Sequence, residues 1–293
     1  MGSIVPQGCL RHVPTFAITG RATGLLLALF GTIIDSCEAL VVRRMGVYLE
    51  DWHELSPHGD MLEELTPRMV IFYKYLFTAS FTLIGLLIVI GARLSELRRG
   101  FKAGPRHILA AASCQSFISM LLTLSLLKTE TATVYLLYLL APLWAALFGR
   151  FFLKEPIRRC TALALLLAAC SVALMKLPTI IEGGSRGAPN LGDLYAVAAG
   201  GMLGCLLTIS RSAALHVPNA RMVCAPIIGS SICVLVAATM LIVGGHSPIP
   251  GCGGTGASIA FIALGGVAGF TTAVFYVCAL LAAKYITGAE VRR

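Results

Sequence analysis

The sequence predicts an all-helical integral membrane protein of about eight transmembrane helices, arranged as two inverted five-helix repeats of which the second is incomplete. Two features of composition predict the class: 57% of the 293 residues are hydrophobic and only 13% are charged, whereas a soluble domain carries about 25% charged residues. The third observation is a series of apolar runs long enough to cross a hydrocarbon core of about 30 Å. This composition excludes a soluble globular enzyme and a disordered chain.

The apolar runs form eight candidate transmembrane helices, most of them close to the roughly 20 residues that a spanning helix needs. Two turns, Lys128–Glu130 and Lys154–Arg159, are too short for a soluble domain, so their neighbouring helices run antiparallel. One connection is long, and its residues 43–68 include six of the 14 acidic residues. The predicted spans are Gly24–Val42, Met69–Gly91, His107–Leu127, Thr131–Leu153, Cys160–Leu177, Leu191–Ser210, Met222–Val243 and Gly256–Ala282.

The distribution of basic residues predicts the orientation. With eight spans, 16 of the 23 Lys and Arg residues fall on the side of the N-terminus and six on the other. Because basic residues are retained on the cytoplasmic side, we expect a multi-pass protein with a cytoplasmic N-terminus and an acidic outer or lumenal loop. The net charge of +9 is then a topology signal. No nucleic-acid partner is expected, since no basic surface domain exists to bind one.

Residues of the first and sixth predicted helices recur at a fixed spacing. The first helix begins with glycine and leaves the membrane at arginine, and the sixth does the same 168 residues later. A second set recurs at an offset of 156, after an indel of twelve. Since a five-helix unit has an odd number of spans, its second copy is inverted in the membrane. The matched residues are Gly24, Ala28 and Arg43 with Gly192, Ala196 and Arg211, and Leu124, Lys128 and Thr131 with Leu280, Lys284 and Thr287.

This repeat divides the chain into four predicted parts. Residues 1–21 are a cytoplasmic tail, and residues 22–177 are the first five-helix repeat with its acidic outer loop, 43–68. A linker over residues 178–190 leads to the second repeat, 191–293, which is truncated after its third helix.

Three segments carry a resemblance to a known family. Tyr135–Pro156 is a helix with a central proline that ends in a Glu-Pro pair, Ile71–Ala79 reads IFYKYLFTA, and Leu191–Arg211 opens the second half. In this order the segments resemble the drug/metabolite transporter superfamily, specifically its EamA-like family. The resemblance implies ten helices and the transport of amino acids, organic cations, nucleotide sugars or other metabolites, often with proton exchange.

The chain departs from that family at its C-terminal end. It stops where a ninth helix is expected, and it lacks second-half counterparts of Pro142, Glu155 and Pro156. Two hypotheses follow. The first is a transporter that moves a small polar metabolite by alternating access, with possible proton coupling. The second is a truncated, non-transporting membrane protein, subunit or scaffold, and a homodimer is one way to supply missing walls.

Charged residues inside the spans are the first candidates for a substrate site, because each costs several kcal/mol in lipid unless it is paired or hydrated. Asp35 and Glu38 are three residues apart and project from one helix face. Glu38 and Lys74 are both about 6–8 Å below the outer interface, so they can meet. Two interpretations stay open for the pair, a substrate or proton site and a structural ion pair. For Asp35 we favour a cation or zwitterion as ligand.

Three uncharged residues complete the candidate substrate-binding set. Gln115 lies about 12 Å from the cytoplasmic end of its helix, where its amide can bind a solute or form an interhelical hydrogen bond. Tyr138 and Trp144 lie deeper than the aromatic belt at the interface, and cavity lining and packing both remain open for them.

Three further residues are predicted to be structural. Pro142 removes a backbone hydrogen bond in mid-helix and kinks it, while Glu155 and Pro156 end the fourth helix at the cytoplasmic face. No metal site and no cofactor are predicted, because the sequence has no CxxC pair and no HExxH motif. The spans also have no nucleophile–base pair, so no enzymatic activity is expected. The partners that remain are a small-molecule substrate and the lipid bilayer.

Overall fold

The computed structural model describes residues 14–53, 59–89, 105–154, 190–214, 224–244 and 255–290, together with short helical stretches between residues 162 and 174. Every element within this part is a helix. The eight helices are α1 (Pro14–His53), α2 (Gly59–Val89), α3 (Pro105–Lys128), α4 (Thr131–Tyr138), α5 (Ala141–Phe152), α6 (Leu191–Ala214), α7 (Cys224–Val243) and α8 (Thr255–Glu290).

Six helical segments of the described chain are long and apolar enough to cross a membrane. They coincide with six of the predicted spans, which confirms a multi-pass membrane protein whose described residues are all-helical. Of the other two predicted spans, Met69–Gly91 falls largely on α2, and Cys160–Leu177 is described only in the short stretches after residue 161. The total of eight spans and the inverted repeat stay predictions. The six segments are Ala22–Val47, Pro105–Lys128, Thr131–Phe152, Leu191–Ser212, Cys224–Val243 and Ser258–Cys278.

The helices pack as a connected series. The helix α1 lies along α8, and α8 also packs against α2. The helix α7 joins the two sides of the bundle because it packs against both α2 and α3, and α3 in turn lies along α6. The short helices α4 and α5 pack on α6. Many apolar side chains on the outside of the bundle are exposed, such as Leu25, Leu40 and Phe270, as a lipid-facing surface requires.

The span around Pro142 is interrupted, as the sequence predicts. The helix α4 ends at Tyr138, residues 139 and 140 form a turn, and α5 begins at Ala141 with the proline at its second position. Pro142 is tolerated there because the first residues of a helix have no intrahelical partner for their N–H groups. The proline therefore divides one membrane crossing into two short helices.

Glycines allow close approach between helices, as two of them illustrate. A Cβ atom at Gly269 of α8 would lie 2.5 Å from the Cβ atom of Phe77 and 2.7 Å from the backbone nitrogen of Thr78. A Cβ atom at Gly204 of α6 would lie 2.5 Å from the Cβ atom of Trp144. These separations are too short for any side chain, so the small residues allow α8 to contact α2 and α6 to contact α5.

Candidate functional site

The charged centre of the bundle is an ion pair between α1 and α2. The ammonium group of Lys74 contacts a carboxylate oxygen of Glu38, and both residues are buried. This contact confirms the expectation, drawn from their depths in neighbouring spans, that the two side chains meet. Glu38 and Lys74 are also the only charged side chains that are buried in the described part of the chain.

Hydroxyl groups from two other helices complete the surroundings of the pair. Thr272 of α8 is positioned to donate a hydrogen bond to the second carboxylate oxygen of Glu38, with the carbonyl oxygen of Ala268 as its other acceptor. Lys74 donates to the hydroxyl of Thr123 in α3 over 3.2 Å. These contacts link α1, α2, α3 and α8. Removing either charge would leave the other buried and uncompensated, which is energetically costly.

Tyr75 packs beside the pair and connects it to the rest of α3. The Lys74 ammonium lies 4.7 Å from the centre of the Tyr75 ring, within the range of a cation–π contact. The Tyr75 hydroxyl donates to the carbonyl oxygen of Ser119 over 2.9 Å and lies 3.3 Å from the Thr123 hydroxyl. The lysine therefore has three kinds of partner: a carboxylate, a hydroxyl and an aromatic face.

The other candidate residues fall in different places. The backbone of Asp35 belongs to α1, but its side chain lies outside the described residues, as do Glu155 and Pro156. Gln115 donates an interhelical hydrogen bond to the hydroxyl of Tyr276 in α8. That bond corresponds to the structural interpretation of Gln115, an interhelical hydrogen bond.

Tyr138 and Trp144 both lie against α6. A Cβ atom at Gly200 would be 3.1 Å from the carbonyl oxygen of Tyr138, and one at Gly201 would be 3.9 Å from the Trp144 ring. The Trp144 ring also stacks on Phe148. Neither Tyr138 nor Trp144 is among the residues that line the cavity described next. Their role as substrate ligands therefore stays a prediction.

A cavity of about 580 Å³ lies between α2, α3, α6 and α7. Its volume falls within the range of about 300–1,000 Å³ that is typical of small-molecule sites. Ten residues line it: Pro67, Arg68 and Ile71 of α2, Met120, Leu124 and Lys128 of α3, Tyr195 of α6, and Val236, Ala237 and Met240 of α7.

The cavity is bounded by apolar side chains that also pack against Tyr75. Ile71 and Ala237 form a buried cluster with Tyr75 and Cys233, and Met120 packs against this cluster. Tyr75 thus contacts the cavity wall on one side and the Lys74 ammonium on the other. The cavity wall and the ion pair therefore share Tyr75 as a neighbour.

The helices α3 and α7 are in direct contact at the end that lies away from the cavity. The Ser116 hydroxyl of α3 lies 2.9 Å from the carbonyl oxygen of Gly229 in α7, and the thiol of Cys233 lies 3.5 Å from the carbonyl oxygen of Ser116. Both contacts are nearer the N-terminal ends of α3 and α7 than the residues that line the cavity. The two helices are thus held together at one end and leave space between them at the other.

Sequence reasoning missed several members of this site. Thr123 and Thr272 are ordinary span residues by composition, and only the helix packing shows that they face Lys74 and Glu38. One signal existed for Thr272: it lies 156 residues after Ser116, the offset of the predicted repeat. By sequence, Arg68 and Lys128 are only charges at the ends of predicted spans, and the helix packing places them at the cavity.

Metal binding has no support in the described residues, where no group of three His, Cys, Asp or Glu side chains lies close enough to hold an ion. The polar groups that do converge are a carboxylate, an ammonium group and hydroxyls. In a low-dielectric interior these groups can bind a polar solute or exchange partners when helices move.

Of three comparisons with known proteins, one found a match. A search of curated proteins and a search of solved structures found no match. The model of the EamA-like transporter family matches residues 59–177, which include α2, α3, α4, α5 and Lys74. This match confirms the resemblance drawn from the segments around Lys74 and Pro142. Residues 59–177 are therefore similar to the EamA-like transporter family, which is consistent with the drug/metabolite transporter superfamily.

Proposed function

We propose that this protein moves a small polar metabolite across the membrane by alternating access. The observation that carries the proposal is a cavity of substrate size whose wall packs against Tyr75, the neighbour of a buried ion pair. The EamA-like region supports transport as the general activity, and members of that family are transporters and not enzymes. The N-terminus lies in the cytoplasm in this proposal, as the distribution of basic residues predicts.

The helix packing supports two related halves that move against each other. If α1, α2 and α3 correspond to α6, α7 and α8, the contact of α1 with α8 corresponds to that of α6 with α3. The contact of α2 with α8 likewise corresponds to that of α7 with α3. The contact between α2 and α7 joins two equivalent helices, so exchanging the halves leaves it unchanged. Such correspondence is expected of an inverted repeat, in which one half rocks against the other about a central site.

The ion pair is placed where such a movement would change its contacts. Glu38 is on α1 and Thr272 on α8, whereas Thr123, the second partner of Lys74, is on α3. A displacement of α1 and α8 relative to α3 would lengthen either the contact of Lys74 with Glu38 or its hydrogen bond to Thr123. We propose that Lys74 alternates between these partners during the transport cycle, while a purely structural pair would keep both sets throughout.

Glu38 is the candidate for proton coupling. Protonation of its carboxylate would remove the charge that compensates Lys74, and this would weaken the contact between α1 and α2. Proton binding would then be linked to helix movement, which is how a proton gradient can drive a solute. In this proposal Asp35, one turn of α1 away, contributes a second carboxylate to the pathway.

Uptake into proteoliposomes tests the proposal. The purified chain is reconstituted, and the accumulation of labelled amino acids, organic cations and organic acids is measured with and without an inside-alkaline pH gradient. We expect accumulation of at least one compound that saturates with concentration. Saturable uptake by no compound in several lipid mixtures would contradict transport and favour the alternative of a non-transporting membrane protein.

Two variants separate the roles of the carboxylates. Glu38→Gln is expected to abolish the stimulation by the pH gradient, while Asp35→Asn is expected to lower uptake and its pH dependence. Glu130→Gln, an exposed acid between α3 and α4, is the matched control. Unchanged uptake and unchanged pH dependence in Asp35→Asn would remove Asp35 from the pathway, and the same result in Glu38→Gln would leave the pair a structural role only.

A further inference from the structure

The cavity between α2, α3, α6 and α7 has a chemistry of its own. Seven of its ten lining residues are apolar: Pro67, Ile71, Met120, Leu124, Val236, Ala237 and Met240. The polar groups are the cations of Arg68 and Lys128 and the hydroxyl of Tyr195, and none of the described lining residues is acidic. The wall therefore combines hydrocarbon with positive charge and hydrogen-bond donors.

The two cations lie at the same end of the cavity. Lys74 contacts Thr123 and Tyr75 contacts Ser119, so α2 and α3 run antiparallel. Arg68 is six residues before Lys74 and Lys128 five residues after Thr123, which at 1.5 Å per residue places both about 8–9 Å from the ion pair on the same side.

The beginning of α6 lies close to the end of α3 and brings Tyr195 to the same rim. The Ser125 hydroxyl donates to the carbonyl oxygen of Gly192 over 2.7 Å, and the Asn190 amide donates to the carbonyl oxygen of Lys128 over 2.9 Å. Tyr195 lies about one turn along α6 from Gly192. Two cations and a phenol thus meet at the rim, with the apolar wall between them and Tyr75.

We infer that the cavity binds an organic anion with an apolar body, its acidic group at Arg68 and Lys128 and its body against Met120, Leu124 and Met240. Arginine and lysine both donate charge-assisted hydrogen bonds to carboxylates and to sulfur or phosphorus oxyanions. Burial of the ligand's hydrocarbon against the wall adds about 25 cal/mol for each Å² removed from water. This inference names the substrate class of the proposed transporter and so rests on that function.

The inference opposes the ligand expected from Asp35 alone. A carboxylate in α1 favours a cation or zwitterion, but the described wall of the cavity has two positive groups and no negative one. A cationic ligand in the cavity would lie beside Arg68 and Lys128 and would be repelled by them in a site partly shielded from water. The two hypotheses therefore predict opposite selectivity for ligands that differ in charge alone.

Three probes of similar size and different charge decide between them. They are p-toluenesulfonate, phenyltrimethylammonium and p-toluamide, whose charges do not change with pH. Binding to the purified full chain in detergent is measured by calorimetry and by the shift of the thermal unfolding midpoint. We expect p-toluenesulfonate to bind most tightly and phenyltrimethylammonium most weakly.

Neutral substitutions at the rim test the assignment of the cations. Arg68→Gln and Lys128→Gln are each expected to weaken binding of p-toluenesulfonate roughly five- to tenfold, as the loss of one charge-assisted hydrogen bond predicts. Arg68→Lys keeps the charge and is expected to retain most of the affinity. Arg44→Gln is the matched control, because Arg44 is exposed on α1 and does not line the cavity. Each variant is first shown to be monodisperse.

The outcomes separate this inference from the proposed function. Tighter binding of phenyltrimethylammonium, or equal p-toluenesulfonate affinity in all four variants and the wild type, would overturn the anion site. Saturable uptake of another compound would then still support transport. Conversely, selective binding of p-toluenesulfonate that Arg68→Gln and Lys128→Gln weaken would support the site. If no compound were then taken up, the proposed transport would fail and the binding site would remain.

Discussion

The interface of α1, α2 and α8 and the interface of α3, α6 and α7 correspond to each other in the predicted repeat, yet their chemistry differs. In the first interface Glu38, Lys74 and Thr272 form a buried polar network. An offset of 168 residues leads from Glu38 to Leu206, which packs against a cluster of Ala111, Ala112 and Ala225. The equivalent of Thr272 is Ser116, whose hydroxyl contacts only backbone carbonyl groups.

This difference supports the proposal that the ion pair takes part in transport. An apolar interface is sufficient to pack three helices in lipid, as Leu206 and its alanine neighbours demonstrate. A buried ion pair is not needed for that purpose, since hydrophobic replacement of such pairs is often neutral or stabilising. Among the described residues, a buried ion pair is present in the first interface alone, which favours a role for it in the proposed transport. The variants below test whether the two interfaces differ as described.

The largest effect is expected from breaking the ion pair. Glu38→Leu or Lys74→Met alone should lower the free energy of unfolding by about 3–5 kcal/mol, because each leaves an uncompensated buried charge. The double variant Glu38→Leu/Lys74→Met should recover most of that loss. Denaturant titration in detergent micelles measures all three.

The corresponding change in the apolar interface is Leu206→Glu. It places a charge without a designed partner at the equivalent position and should cost about 3 kcal/mol. The account of the ion pair would be contradicted if Glu38→Leu/Lys74→Met were no more stable than either single variant. It would also be contradicted if Leu206→Glu left the free energy of unfolding unchanged.

Next in size is the loss of the hydroxyl beside Glu38. Thr272→Val keeps the shape of the side chain but removes the donor, and hydrogen bonds to charged groups contribute about 1.5–3 kcal/mol. Thr239→Val is the control, since Thr239 of α7 is exposed and bonds only to the carbonyl oxygen of Leu235. Equal unfolding free energies for the two variants would show that Thr272 does not stabilise the carboxylate.

The close contact between α2 and α8 gives the third test. Gly269→Ala should cost about 1–3 kcal/mol through overpacking, because its Cβ atom would be 2.5 Å from that of Phe77. Gly266→Ala is the control, since its Cβ atom would only come within 4.0 Å of the Phe77 ring. Thermal unfolding of both variants checks the contact. A smaller loss for Gly269→Ala than for Gly266→Ala would mean that α8 does not approach α2 as described.

The smallest effect is expected in the apolar interface. Ser116→Ala removes a hydrogen bond between neutral groups, which contributes about 0.5–1.5 kcal/mol, and should therefore cost less than Thr272→Val. Side-by-side denaturant titrations of the two variants measure the difference. If Ser116→Ala destabilised the chain more than Thr272→Val, the two interfaces would not differ in the way their side chains indicate.

Much of the fold and one contact of the site could be predicted from the sequence. Apolar run length located six of the spans, and the proline rule located the interruption before Pro142. Glu38 and Lys74 could be paired because both lie on adjacent helices at the same depth. Depth along a helix is readable from the sequence, since each residue adds 1.5 Å.

The sequence could not predict which helices lie side by side in the bundle. Thr123, Thr272 and Tyr276 become partners of Lys74, Glu38 and Gln115 only because α3 and α8 lie beside them. Hydropathy does not determine which helices are neighbours. The cavity likewise arises from the divergence of α3 and α7 at one end, so Arg68 and Lys128 have no special pattern that identifies them as its rim.

The measurement closest to the central claim is uptake by proteoliposomes that contain the double variant Glu38→Leu/Lys74→Met. The substrate is the compound that the wild type accumulates most. The variant is used only after its unfolding free energy has been shown to approach that of the wild type. If the ion pair takes part in the transport cycle, uptake should fall to the level of empty liposomes. Uptake at the wild-type rate with the same dependence on the pH gradient would contradict that claim.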